Sequence, residues 1–204
     1  DYSAEDIALA QDEGYVVITD EAAKTVEIST PDGYHPGEDG EIQDGKEVIT
    51  FAGKEWIVLE NKADSQLIVL TDNLEERQYQ SEYTQVTWET SEMRAYLNGE
   101  FYNTLSDEDK ARVIETRISN PYNDHFKTLA GVSTVDRVFL LSQEEVEEYF
   151  ADGEAGTSST YWTRTPGIDQ RFCVMITPSG TKNNYGYRVN NPLGGVRPAM
   201  WITN

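Results

Sequence analysis

The chain has 204 residues, 38% of them hydrophobic and 11% aromatic, enough for one substantial core or for a domain with a small appendage. Its 37 acidic residues against 16 basic ones leave a formal net charge of −21, which excludes the basic footprint that nucleic acid requires and disfavours an anionic membrane surface. The single cysteine, Cys173, excludes an intrachain disulfide and a cysteine-built zinc cage.

The charge is uneven. Residues 1–50 hold fourteen acids against Lys24 and Lys46, a net of −12, whereas residues 155–204 hold Asp169 against Arg164, Arg171, Lys182, Arg188 and Arg197, a net of +4. This fits either a self-complementary domain on an acidic background or a C-terminal face that receives an anion or a sugar. No run of eighteen apolar residues is present, so no membrane-spanning helix is expected. The chain begins at Asp1 without a signal-peptide pattern, which reads as a processed or trimmed form.

In chain order, residues 1–13 are acidic, with Ile7, Ala8 and Leu9 as an apolar cluster fit for a loosely held helix or a tail. Residues 15–19 and 25–29 read as a β-hairpin. Residues 31–46, rich in Gly, Pro and acids, read as a linker; Asp39, Glu41 and Asp44 lack the central glycine of a calcium loop. Residues 46–52, 55–60 and 66–71 are short, β-branched and aromatic, and predict a three-stranded antiparallel meander with Trp56 pointing into the core. Residues 88–102 carry Met93, Tyr96, Leu97 and Phe101 at helical spacing, with Thr90 or Ser91 as the cap and Asn98-Gly99 expected to fray or end the helix. A second helix, capped by Ser106, is expected over residues 107–116. Residues 119–134 read as loop and residues 135–141 as strand. Ser142-Gln143-Glu144-Glu145 is a capping box opening a short helix, on which Glu144, Glu145, Glu147 and Glu148 read as solvated charges. Strands are expected over residues 161–164, 172–177, 185–189 and 196–202, with a turn at Pro178-Ser179-Gly180. The apolar neighbours of Cys173 predict a buried, inert thiol.

The chain also resembles a domain of unknown function common in secreted proteins of Gram-positive gut bacteria. The residues that carry the resemblance are Phe51-Ala52-Gly53-Lys54-Glu55-Trp56, Trp88 with residues 91–98, Asp136-Arg137-Val138-Phe139-Leu140-Leu141-Ser142, Trp162-Thr163-Arg164-Thr165-Pro166-Gly167 and Gly195-Val196-Arg197-Pro198-Ala199. That family is in turn distantly similar to the C-type-lectin-like fold, including its formylglycine-generating branch. The resemblance implies an α+β fold, C-type-lectin-like and mixed, with antiparallel sheets and two to three short helices, on an extracellular or cell-surface protein. It does not carry over those relatives' activities: the formylglycine-generating enzymes use paired cysteines, and Asn190-Asn191-Pro192 only weakly echoes a calcium-lectin motif.

The chemistry-bearing residues leave two readings open. Arg164 and Arg197, each beside a proline and near a tryptophan, either tie the terminal sheet to carboxylates such as Glu92 or Asp136 or to loop carbonyls, or recognise an anionic ligand. Trp162, Tyr185, Tyr187 and Trp201, with Asn183, Asn184, Asn190 and Asn191, either form sheet core and turns or make an aromatic and amide platform for a sugar. The candidate ligand-binding set is therefore Trp162, Arg164, Tyr185, Tyr187, Asn190, Asn191 and Arg197. No catalytic residue, metal ligand or cofactor is expected, and His35 and His125 lie in no catalytic pattern. The expectation is an acidic N-terminal extension, residues 1–46, with a hairpin, then an α+β domain, residues 47–204. Its expected role is as a non-catalytic binding module for a glycan or a surface protein. A structural module of a larger surface protein and an unrecognised enzyme are the alternatives.

Overall fold

The computed structural model describes the backbone of Val17–Asp20 and Thr25–Ile28, and residues 46–151 and 153–204 in full. The acidic segment 1–13 and all of the expected linker except Lys46 lie outside the described residues. The chain divides into two compact units, Asp1–Asp39 and Gly40–Asn204. Within the first, β1 (Val17–Asp20) pairs antiparallel with β2 (Thr25–Ile28).

The second unit is an α+β assembly of antiparallel sheets and short helices. β3 (Val48–Phe51), β4 (Lys54–Asn61) and β5 (Ser65–Leu70) form the meander anticipated from their β-branched runs. Ala52 and Gly53 both hold positive φ, 49° and 70°, the two-residue turn whose twist matches a tight hairpin. Trp56, on β4, is fully buried and donates from Nε1 to the Phe51 carbonyl at 2.9 Å. Burying such a side chain contributes on the order of 2–3 kcal/mol.

The last strand, β13 (Pro198–Thr203), occupies the middle of this six-stranded sheet. β5 runs along one edge of it, from Val69 opposite Ala199 to Ser65 opposite Thr203. The other edge is shared: β9 (Phe139–Leu140) pairs with Pro198 and Ala199, and β6 (Val113–Ile114) with Trp201 and Ile202. β6 falls inside the helix expected over residues 107–116. The helix α3 (Asp107–Arg112), capped by Ser106, stops at Arg112 because β-branched Val113 and Ile114 complete the free edge of β13.

The expected helix over residues 88–102 is likewise cut. A 3-10 turn, Trp88–Thr90, is followed by extended Ser91, whose hydroxyl accepts the Arg94 N–H and caps α1 (Glu92–Tyr96). Asn98-Gly99 does not end the helix. It widens into a π turn, Leu97–Phe101, and resumes as α2 (Tyr102–Thr104). The π turn places Asn98 where its amide donates to the Val138 carbonyl at 2.8 Å while its oxygen accepts the Arg137 and Val138 N–H groups. That stitch also splits the single strand expected over residues 135–141. β8 (Thr134–Asp136) pairs with β7 (Thr116–Ile118), and β9 turns away to β13.

A three-stranded sheet completes the unit: β10 (Tyr161–Pro166), β11 (Phe172–Ile176) and β12 (Lys182–Arg188). β12 starts three residues before the expected strand. The Trp162 N–H donates to the Gly195 carbonyl and the Gly195 N–H to the Thr160 carbonyl, so this sheet is fastened to the segment leading into β13. One buried cluster joins Trp56, Ile68 and Met200 with Trp88, Met93 and Leu97 and with Trp162 and Met175.

Candidate functional site

The two arginine motifs lead inward. Arg164, on β10, is 1% exposed, and its guanidinium forks onto Glu145 of α4 (Gln143–Tyr149), with Nη2 at 2.6 Å from Oε1 and Nη1 on Oε2. Nη1 also meets the Leu140 carbonyl at 2.7 Å, Nη2 the Ser119 carbonyl at 2.9 Å, and Nε the Asn120 amide oxygen at 3.2 Å. Glu145, half-buried, is therefore the partner of a buried arginine rather than a solvated charge. It completes the capping box by accepting the Ser142 N–H at 2.8 Å. The carboxylates Glu92 and Asp136 are engaged elsewhere. Glu92 accepts from Ser81 and Gln80. Asp136 holds Arg94 Nε at 2.6 Å, Trp88 Nε1 at 2.9 Å and Thr134 Oγ1 at 2.6 Å.

Arg197, 2% exposed, bonds carbonyls and a phenol: Leu70 at 2.8 Å, Ala155 at 2.9 Å, Thr71 at 3.4 Å and the Tyr161 hydroxyl at 3.2 Å. The Phe150 and Tyr161 rings lie about its guanidinium. Asp72 sits nearby. Burial works to raise its carboxyl pKa, but hydrogen bonds from the Ser158 and Asn73 backbones and the Ser158 hydroxyl, with the Arg197 charge, hold it below the usual value. Trp162, 1% exposed, donates from Nε1 to the Arg77 carbonyl at 2.7 Å and packs edge-on against Tyr79. Cys173 donates to the Thr163 carbonyl, and burial pushes its thiol well above the ordinary value, so it stays protonated.

The remaining candidates face outward. Tyr185 and Tyr187 on β12 are 41% and 37% exposed, and Asn190 and Asn191 are half-buried in the turn beyond. Asn191 Oδ1 accepts the Leu193 N–H at 3.0 Å, and the Asn190 carbonyl accepts from Gln78 at 2.7 Å.

Tyr185 meets residues of the segment expected to be loop. Phe126 packs against its ring at 4.8 Å, and His125 against Phe126 at 4.5 Å. Tyr122, Leu129, Val132 and Ile168 are exposed on the same loop or the β10–β11 connection, Leu129 at 71%. The loop is nevertheless firmly held. Asn123, 1% exposed, donates from Nδ2 to the Pro166 and Asn184 carbonyls, both at 2.9 Å, while its Oδ1 accepts the His125 and Phe126 N–H groups. Thr128 Oγ1 donates to the Ile168 carbonyl, Gln170 Nε2 to the Leu129 carbonyl, and Arg164 holds Ser119 and Asn120 at the loop's start. Gly167 permits the close approach beneath: a Cβ there would lie 2.2 Å from the Tyr185 carbonyl oxygen. The clue in the sequence is the aromatic run between Asn120 and Lys127, which has neither helix nor strand period.

A pocket of about 80 Å3 beside Trp56, Phe101 and Leu105 is far smaller than the roughly 300–1,000 Å3 of an ordinary small-molecule site. Among the described residues no group of three or more His, Cys, Asp or Glu side chains is arranged to hold a metal ion. No helix among them is long and apolar enough to cross a membrane.

A family model described as a domain of unknown function, DUF6273, matches residues 64–204. No curated protein and no solved structure matches the chain.

Proposed function

Because the chain belongs to the DUF6273 family, whose description names no activity, we propose its role from the geometry alone: a non-catalytic binding module that docks a protein partner on the surface built by residues 119–134 and β12. The observation that carries this reading is the contrast between the two sides of that loop. Beneath, buried Asn123 and Arg164 fix its backbone; above, Leu129, Val132, Ile168, Tyr122 and Tyr185 are presented to solvent. A mobile loop would lose ordering entropy on binding, and a fixed one avoids that cost. Exposed aliphatic and aromatic side chains grouped in this way are the usual mark of a protein-binding surface.

The same proposal includes a C-type-lectin-like architecture and an extracellular or cell-surface setting, supported by the loop-bearing antiparallel sheets and the acidic composition. A glycan ligand is the second reading, favoured by the exposed rings of Tyr122 and Tyr185. It is weakened by the burial of Trp162 and by the turn-forming role of Asn191.

Peptides selected from a display library on the wild-type protein test the proposal. They are expected to bind at least about tenfold more weakly to Leu129→Asp and to Ile168→Asp, both at exposed positions that leave the fold intact. Equal binding to both variants, or a glycan-array hit that competes with the peptides, overturns the protein-docking reading.

A further inference from the structure

Along residues 155–204 the cations find partners one by one: Arg164 on Glu145, Arg171 on Asp169, Lys182 on Glu147, and Arg197 among carbonyls. Among the described residues of that stretch, Arg188 is the cation left with neither a carboxylate nor a carbonyl to receive its guanidinium. It lies at the end of β12, exposed, on a molecule of net charge −21.

Arg188 is also held in place. Its guanidinium carbon sits over the Tyr83 ring, 5.1 Å from the centroid. Tyr83 is in turn set by Phe172, edge-on at 5.9 Å, and Phe172 is the register partner of Arg188 across β11 and β12. Arg171 lies over the same ring at 5.5 Å, its Nη2 2.5 Å from Asp169 Oδ2. A guanidinium that rests near a ring and has no acceptor keeps its N–H fork for one, and the planar group matched to that fork is a carboxylate.

We propose that Arg188, with Tyr83 and Arg171 beneath and beside it, receives a carboxylate from an acidic peptide segment of a protein partner. The choice of a peptide rests on the protein-docking reading above; the carboxylate site itself does not. The site is shallow and exposed, so the bond is salt-sensitive and sets orientation and encounter rate more than affinity.

The test is a titration of the arginine Nε–H resonances by NMR with an acetylated peptide of alternating Glu and Ala, beside its Gln-for-Glu counterpart. The expected result is a saturable shift of Arg188 and of the Tyr83 ring protons with the Glu peptide alone. That shift is several-fold larger than at the exposed control Arg117 and is lost in Arg188→Gln. Leu129→Asp, which should weaken binding of the display-selected peptides, is expected to leave this titration unchanged, so the two proposals fail separately. Shifts at Arg188 no larger than at Arg117, or retained Tyr83 shifts in Arg188→Gln, overturn the carboxylate site. An oligoglucuronate that saturates the same resonances at lower concentration than the peptide overturns the choice of a peptide.

Discussion

Arg197 brings a positive charge into the core and meets it with oxygen dipoles of Leu70, Ala155, Thr71 and Tyr161 rather than with a carboxylate. Truncation would orphan several buried acceptors at once. Arg197→Ala is therefore expected to lower stability by about 3–5 kcal/mol in denaturant unfolding. Arg197→Lys should recover little of this, since one ammonium cannot span acceptors arranged around a planar fork. An Arg197→Ala midpoint equal to wild type would show that those carbonyls find water instead. Both arginines stood out in the sequence through their proline and tryptophan neighbours, but their partners did not. Glu145 lies in a capping box and reads as a helix-surface charge, although one of its oxygens serves the cap and Arg164 together. Carbonyl partners such as Leu70 leave no trace in residue type at all.

At the level of elements, the strands were legible because β-branched and aromatic runs bounded by turn residues announce themselves, as in β3 to β5. Two helices were overdrawn because tertiary demands cut across the period: β13 takes Val113 and Ile114 for its edge, and Asn98 opens a π turn to reach Val138. Residues 119–134 read as a connection, and the exposed apolar surface they present is not legible locally for a physical reason. Its order comes from side chain to backbone bonds with β10 and β12, more than forty residues away, which no local pattern encodes. Asn123 is the centre of that order. Asn123→Ala is expected to cost about 2–3 kcal/mol, leaving the Pro166 and Asn184 carbonyls without their donor. The loss should be concentrated locally, with amide hydrogen exchange accelerated across residues 119–134 and unchanged in β13. Uniform acceleration through the whole domain would show instead that the loop is part of the cooperative core.

At the scale of the whole molecule, the net charge of −21 sets two opposing responses to acid. As pH falls from neutrality, carboxylates protonate and mutual repulsion relaxes, which favours the compact state. Local ties act the other way, and Asp72 is the clearest. It accepts the Ser158 N–H at 2.9 Å and the Ser158 hydroxyl at 2.8 Å, joining the end of β5 to the loop ahead of β10. Its pKa in the fold lies below the ordinary carboxylate value. A carboxyl with a depressed folded-state pKa contributes its full stability above the unfolded pKa and loses it as pH falls through the folded one. The thermal midpoint should accordingly hold or rise from neutrality to about pH 5, and fall below about pH 4. In Asp72→Asn the acid limb is expected to be shallower and the neutral midpoint lower, because the amide keeps the shape of the tie without its charge. A wild-type acid limb in that variant would assign the acid response to other carboxylates. Raising salt at neutral pH should stabilise both proteins alike, since screening acts on the net charge and not on the Asp72 hydrogen bonds.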